Sequence, residues 1–260
     1  MCVIAAVLAL PLAGCGSGER SGDDSLRKVL ESGELVLGLD EAFPPMGFID
    51  ENGETVGFDI DVAEEVCRRL GVKLVKRGIV WEEKEDDLNS GKIDCIWNGF
   101  SVTAEREEVL AFSEPYMKNE LIFVVPGASE VKSVRELGGK TIGVQAGSTA
   151  EEELKKAEIF PTVTMKTYDT IISMIEHFYQ GETDAVLIDS VAAYYYIFSA
   201  ESQCYILSVS LSEEEYAVGF RKADIALRDR IQEILSEMKA DGTLGAISKK
   251  WFGSDITTVK

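Results

Sequence analysis

Arg106 stands in an unusual place for a cation. The run Asn98-Gly99-Phe100-Ser101-Val102-Thr103 leads into Ala104-Glu105-Arg106, and Thr103 or Ser101 can cap a helix there. Arg106 then falls in the first helical turn, where the helix dipole disfavours positive charge. A guanidinium presents a planar fork matched to a carboxylate, so one reading is an anion clamp. The other is an ordinary surface pair with Glu105, Glu107 or Glu108. Residue types and spacing leave both open.

Three further segments pose the same kind of question. Val144-Gln145-Ala146-Gly147-Ser148-Thr149 runs into Ala150-Glu151-Glu152. Gly147 allows close backbone approach, and the free N–H groups of the helix start behind it bind anions well. A capping box, Ser148 with Glu151 or Thr149 with Glu152, accounts for the same residues, and both can hold at once. Asp189 follows the apolar run 185–188. A carboxylate at the end of a buried strand needs a cation or donors. A ligand ammonium would serve, but so would the N-cap of a helix starting near Ser190. Asp40 precedes Phe43-Pro44-Pro45, where two prolines restrict the backbone. The ring of Phe43 is either held over a ligand or packed into the core.

Taken together, Arg106 with the Ser148/Thr149 helix end forms an anion clamp, Asp189 a counter-charge for a cation, and Phe43 an aromatic lid. That set suits a zwitterion carrying a side chain, an α-amino acid. No acid–base pair stands beside a nucleophile, so no catalytic residues are expected. The chain has one histidine, His177, read as a surface residue, and no CxxC motif. No zinc site, His-dependent triad, metal or cofactor is expected. Cys67, Cys95 and Cys204 remain outside the N-terminal segment. An odd number cannot form a complete disulfide framework. Cys67, in a helical pattern, and Cys95, in a strand pattern, read as small buried apolar residues.

The elements that must position these residues alternate along the chain. Strands are expected at 34–39, within 72–80, at 93–97, 121–125, 140–144, 185–188 and 216–220. Helices are expected at 57–70, 103–112, 133–137, 149–157, 170–180, 190–198, 226–238 and 244–251. Two successive α/β cycles imply two α/β lobes. In open α/β sheets ligands sit beyond the carboxyl ends of the strands, where Asp40, Asn98, Gln145 and Asp189 all fall.

Composition narrows the partners. Against 26 Lys+Arg stand 46 Asp+Glu, a net charge of -20. So acidic a chain does not track phosphates, and nucleic acid is not expected as a partner. With 45% hydrophobic residues in 260, a large core is available. The run 3–13 is apolar and ends in Leu12-Ala13-Gly14-Cys15. Eleven helical residues span about 16 Å, too short to cross a bilayer. A short apolar run before small residues reads as a signal peptide, 1–15. Its ending resembles the bacterial lipobox, which would make Cys15 the lipidated residue, although no Lys or Arg precedes the run. Residues 16–25 (GSGERSGDDS) read as a flexible tether.

The segments FPPMGF (43–48), ENGETVGFDIDVAEEVCRRLG (51–71), NSGKIDCIWNGFSVTAERE (89–107), FSEPYMKN (112–119), LGGKTIGVQAGSTAEE (137–152), GETDAVLIDS (181–190) and EMKADGTLGAISKKWFG (237–253) resemble, in order, the polar-amino-acid solute-binding proteins of family 3. These are extracytoplasmic proteins that serve ABC importers. The resemblance implies a type II periplasmic-binding-protein fold, with two α/β lobes joined by crossover strands near 119–125 and 215–220. Lobe 1 would hold 26–120 and 217–260, and lobe 2 would hold 121–216. It implies a monomer outside the cell membrane, lipid-anchored, that passes a free amino acid to the importer's transmembrane subunits. Arg106, with Gly99 and Thr149, would clamp the α-carboxylate. Ser101 and Asp189, with the backbone at Gly99, would hold the α-ammonium. Asn98 and Ser148 complete the expected site. Phe43 and Trp81 would wall the side chain, and Asp40 with Gln145 would select it, favouring a polar or basic amino acid, with cystine also open. The acidic run 81–87 departs from the family's usual apolar helix start. Relatives on this fold also include dehydratases of cyclic amino-acid precursors, and sensory modules with extra domains. For a chain that ends soon after Trp251, delivery to an importer is the expected role.

Overall fold

The structure, a computed structural model, describes residues 22–199 and 204–260. The expected signal segment, Cys15 and most of the tether lie outside the described residues. Among the described residues, no helix is long and apolar enough to cross a membrane.

The chain opens with α1 (Ser25–Ser32), β1 (Glu34–Leu39) and a small sheet of β2 (Ala42–Phe43), β3 (Gly47–Ile49) and β4 (Thr55–Val56). Then come α2 (Phe58–Leu70), β5 (Lys73–Gly78), α3 (Lys84–Asn89), β6 (Cys95–Ile96), α4 (Ala104–Val109) and β7 (Leu110–Phe112). A long strand, β8 (Met117–Pro126), carries the chain away to β9 (Thr141–Gln145), α5 (Thr149–Lys156), β10 (Thr164–Tyr168), α6 (Ile171–Tyr179), β11 (Ala185–Asp189), α7 (Ser190–Ser199) and β12 (Cys204–Ile206). β13 (Ser212–Tyr216) brings it back to β14 (Gly219–Arg221), α8 (Ile225–Ala240) and α9 (Thr243–Phe252).

Two sheets result. One has the order β5-β1-β6-β14-β7, with β1 parallel to β5 and β6 and with β14 antiparallel to its neighbours. The other has the order β10-β9-β11-β8-β12, with β13 pairing on β8. Its β11 is buried at every residue, as a strand covered on both faces must be. Helix α2 buries Phe58, Val62 and Val66 at helical spacing against the first sheet. β8 and β13 form an antiparallel ladder from Met117↔Tyr216 to Leu121↔Ser212. The two passages of the chain between the sheets therefore run side by side.

Three expectations about elements are corrected. The helix expected over 103–112 stops at Val109, and Leu110–Phe112 is a strand paired with β14. Leu110 and Ala111 are buried there, and the extended chain supplies backbone partners at the edge of the sheet. The strand expected over 216–220 is two pieces. Between them Ala217 N–H donates to Phe100 O and Val218 N–H to Ser113 Oγ, both at 3.0 Å, so the chain changes partners there. Finally, the tether assigned to 16–25 ends in structure: Ser25 starts α1, and its buried Oγ accepts from Leu227 N–H at 3.1 Å. Asp23 accepts from Ala226 N–H. These two side chains satisfy free N–H groups at the start of α8.

Cys67 and Cys95 are buried free thiols, and Cys204 is half-buried. His177 is half-buried rather than on the open surface. Its Nδ1 meets Ser173 O at 2.7 Å, and its ring lies 5.1 Å from that of Tyr168.

Candidate functional site

Asp40, Phe43, Trp81, Asn98, Gly99, Ser101, Arg106, Gln145, Ser148, Thr149 and Asp189 line one cavity between the two sheets. Every one of these residues comes from a strand end, a following loop or a helix start, so the packed sheets fix where each stands.

Arg106 is 5% exposed and takes no part in a surface pair with its neighbours. Thr103 caps α4, its Oγ1 accepting from Arg106 N–H at 3.2 Å. The guanidinium turns back: one amino group donates to Ser101 O at 2.9 Å, and the plane stacks 4.6 Å from the Phe100 ring. Its other amino group lies 3.8 Å from Glu152, which belongs to α5. Arg106 Nε has no partner among the described residues. A buried cation with an unused donor suits a carboxylate guest.

At the start of α5, Ser148 Oγ accepts from Glu151 N–H at 3.3 Å, as a capping residue does. Glu151 reaches one residue further back than a capping box requires, taking Gly147 N–H at 2.8 Å. The alternative box of Thr149 with Glu152 is not formed, since Glu152 faces Arg106 instead. Gly147 has φ +67°, and a Cβ there would stand 2.8 Å from Glu82 Cα. Lys84 Nζ donates to Gly147 O at 2.8 Å and to Trp81 O at 3.2 Å. Burial, aided by the nearby Arg106 charge, pulls the Lys84 ammonium down to about 8. The loop before α5 and the segment around Trp81 are thus in direct contact across the cavity's edge.

Asp40 is held from several sides. Its own N–H donates to Asn98 Oδ1 at 3.0 Å, and its Oδ1 accepts from Ala42 N–H at 2.9 Å. Its Oδ2 accepts from Gln145 Nε2 at 2.7 Å. Burial raises its carboxyl, against the hydrogen bond from Gln145. Phe43 belongs both to the core and to the cavity wall. Its ring covers Gly99, where an added Cβ would meet Phe43 Cε1 at 2.5 Å and where φ is +56°. Trp81 stands edge-on to Phe100 at 5.9 Å and forms another wall. The acidic run 81–87 packs as a short 3-10 turn at Trp81–Glu83 followed by α3, with its Leu88 buried.

Asp189 Oδ1 accepts from Asn119 Nδ2 and from Tyr216 Oη, both at 2.6 Å. Burial first, and then the Glu214 charge, push its carboxyl up to about 7. Ser101 Oγ donates to Glu214 Oε2 at 2.8 Å.

Several residues that shape the site escaped the reading of the sequence. Asp59 is fully buried, and its Oδ2 accepts from Gly99 N–H at 2.7 Å and from Tyr116 Oη at 2.9 Å. The clue was its position on the apolar face of α2, beside Phe58 and Val62. Asn119 and Glu214 were also missed. Each is the buried residue between exposed neighbours in an alternating strand, Lys118 and Glu120 in one case and Glu213 and Glu215 in the other.

Residues 35–254 match the model of a family described as bacterial extracellular solute-binding proteins, family 3. The chain is 31% identical to the L-cystine-binding protein TcyJ of Escherichia coli, covering 96% of this chain and 95% of that one. An ABC uptake transporter substrate-binding protein from Streptococcus pneumoniae with bound histidine superposes with a TM-score of 0.88 at 37% identity, over 92% of this chain and 99% of the other. Tv2483 bound to L-arginine superposes with a TM-score of 0.88 at 35% identity, over 92% and 98%.

Proposed function

The chain belongs to family 3 of the bacterial extracellular solute-binding proteins, and on that premise we propose that it captures a free basic or polar amino acid and hands it to an ABC importer. The observation that carries this reading is the charge balance of the cavity. One buried guanidinium, Arg106, stands against two buried carboxylates, Asp40 and Asp189. An amino acid's α-carboxylate answers Arg106, and its α-ammonium answers Asp189. One negative charge, Asp40, is then left for the side chain. A cationic or amide side chain satisfies it, whereas Glu and Asp are repelled. Phe43 and Trp81 offer flat faces to a long or planar side chain, with a cation–π contribution for Arg or Lys. Relatives named for L-cystine, or solved with histidine or L-arginine bound, support an amino-acid guest.

The work done is binding and closure rather than turnover. Lobe 1 is taken as 26–120 with 217–260, and lobe 2 as 121–216. A ligand that touches both favours the closed arrangement by the free energy of those contacts. The protein acts outside the cell membrane as a monomer, with Cys15 as its lipid anchor.

A thermal-shift screen of the twenty amino acids with cystine and ornithine is the first test. A ligand at a hundred times its Kd stabilises by about 2.7 kcal/mol. Calorimetry on Arg106→Ala should then show a loss of about 2–5 kcal/mol, as for one partner of a buried charge pair. Unchanged affinity would remove Arg106, and with it the carboxylate clamp.

A further inference from the structure

Behind the cavity, on the ladder of β8 and β13, two buried carboxylates share one amide. Asn119 and Glu214 are register partners. Asn119 Nδ2 donates to Asp189 Oδ1 at 2.6 Å and to Glu214 Oε2 at 2.9 Å. Both hydrogens of the amide are thereby spent, and its Oδ1 accepts from Ser190 Oγ at 3.1 Å. Ser101 has one hydroxyl hydrogen, and it goes to Glu214 Oε2. Only the lone pairs of Ser101 then remain for the cavity it lines. Lone pairs accept from an ammonium and have nothing to give a carboxylate. Asp189 and Glu214 are each 9% exposed.

We propose that Glu214, which does not itself line the cavity, is a positioning residue that makes its cation-receiving end an all-acceptor surface and causes an arriving ammonium to expel a proton from Asp189. The proposal rests on the amino-acid reading above for the identity of the guest. Two buried carboxylates bridged by one neutral amide disfavour double ionisation, so Asp189 holds a proton for part of the time when no ligand ammonium is bound. An ammonium supplies the missing positive charge. The O–H bond of Asp189 breaks, the proton goes to solvent, and the carboxylate accepts from the ligand N–H. The other groups facing this pair are the Tyr216 hydroxyl, which donates to Asp189, and the Arg106 guanidinium, whose charge both carboxylates favour. Glu213, Glu215, Lys118 and Glu120 on the same strands are exposed and face away.

The test has two arms. Carbon-13 NMR of the aspartate carboxyls in the ligand-free full chain should show Asp189 titrating near neutrality, and Glu214→Gln should move that midpoint down by half a pH unit or more. Calorimetry with L-arginine, between pH 5.5 and 8.5 and in buffers of different ionisation heat, should show proton release on binding. Affinity should rise with pH and level off above neutrality. Glu214→Gln should weaken binding tenfold or more and move the bend to lower pH. Ser101→Ala should weaken binding and leave the Asp189 midpoint in place. A Glu214→Gln chain that loses affinity equally at every pH, or keeps the Asp189 midpoint, overturns the proposal. If Glu214→Gln does not fold, absence of proton release in the parent chain overturns it alone. Should L-arginine, L-histidine, L-glutamine and L-cystine all fail to bind, the amino-acid reading fails, and the NMR arm still decides whether the pair behaves as argued.

Discussion

Asp40 and Gln145 are 105 residues apart in sequence and meet at 2.7 Å. Under the proposed function, a buried acid and a primary amide so placed would read the end of a guest's side chain by charge and by hydrogen bonding together. Asp40→Asn keeps the shape and removes the charge. The expected loss for L-arginine is that of a charge-assisted hydrogen bond, about 1.5–3 kcal/mol or roughly ten- to a hundredfold, with a much smaller change for L-glutamine. Equal losses for both, measured by calorimetry, would mean that Asp40 only shapes the pocket. Asp59 makes a different prediction, about stability. Burial pushes its carboxyl up to about 7, and its Oδ1 has no partner among the described residues. Between its ordinary value near 4 and about 7, the native state holds a proton that the unfolded chain has released. Its contribution to stability therefore falls as pH rises through that window. Asp59→Asn removes the slope, so its melting temperature should gain on the parent's from pH 4 to pH 7.5. Parallel curves would show that Asp59 folds at no such cost. Trp81 entered only through the family resemblance, whereas Arg106 and Asp189 were legible in the sequence because each breaks a local rule, an arginine in a first turn and an aspartate ending a buried strand. Asp59, Asn119 and Glu214 were not, because they support other residues from behind and their partners lie 40 to 113 positions away.

At the scale of elements, α4 and α5 present their starts to the same cavity, and each depends on a hydroxyl cap. Removing the Thr103 cap by Thr103→Ala should cost about 1 kcal/mol in urea unfolding, and ligand affinity should fall as well because the capped N–H is that of Arg106. Gly147→Ala asks more of the backbone. A left-handed conformation costs a β-carbon-bearing residue about 1–2 kcal/mol, and the new Cβ would meet Glu82 Cα at 2.8 Å. L-Arginine affinity should drop tenfold or more, while small-angle scattering of the saturated variant should show a larger radius than the saturated parent. A variant that closes normally would mean that the two loops can yield. The alternation of strands and helices made most elements readable, including β11 and α8. Leu110–Phe112 was misread because its apolar spacing continues the helix pattern, and only the neighbouring β14 makes an extended edge the better arrangement.

For the whole molecule, the cleft is bridged by side chains from both sides. Lys156 pairs with Glu105 at 3.1 Å and Lys84 reaches Gly147 at 2.8 Å, in addition to the Asp40–Gln145 bond. Such contacts describe a closed arrangement, and an exposed pair like Lys156–Glu105 adds little to it. The alternation of the sequence pointed to two sheets, but periodicity carries no information about which strand pairs with which. The pairing of β8 with β13 belongs to that second kind of knowledge. Its consequence is modular. Because Met117 lies opposite Tyr216 and Lys118 opposite Glu215, the intervening stretch of the chain leaves and re-enters at neighbouring points about 5 Å apart. That stretch is a cassette: it can be cut out and replaced by the matching stretch of a relative without moving either end of the host. Of the cavity's residues, Gln145 and Asp189 travel with the insert, while Asp40 and Arg106 stay behind.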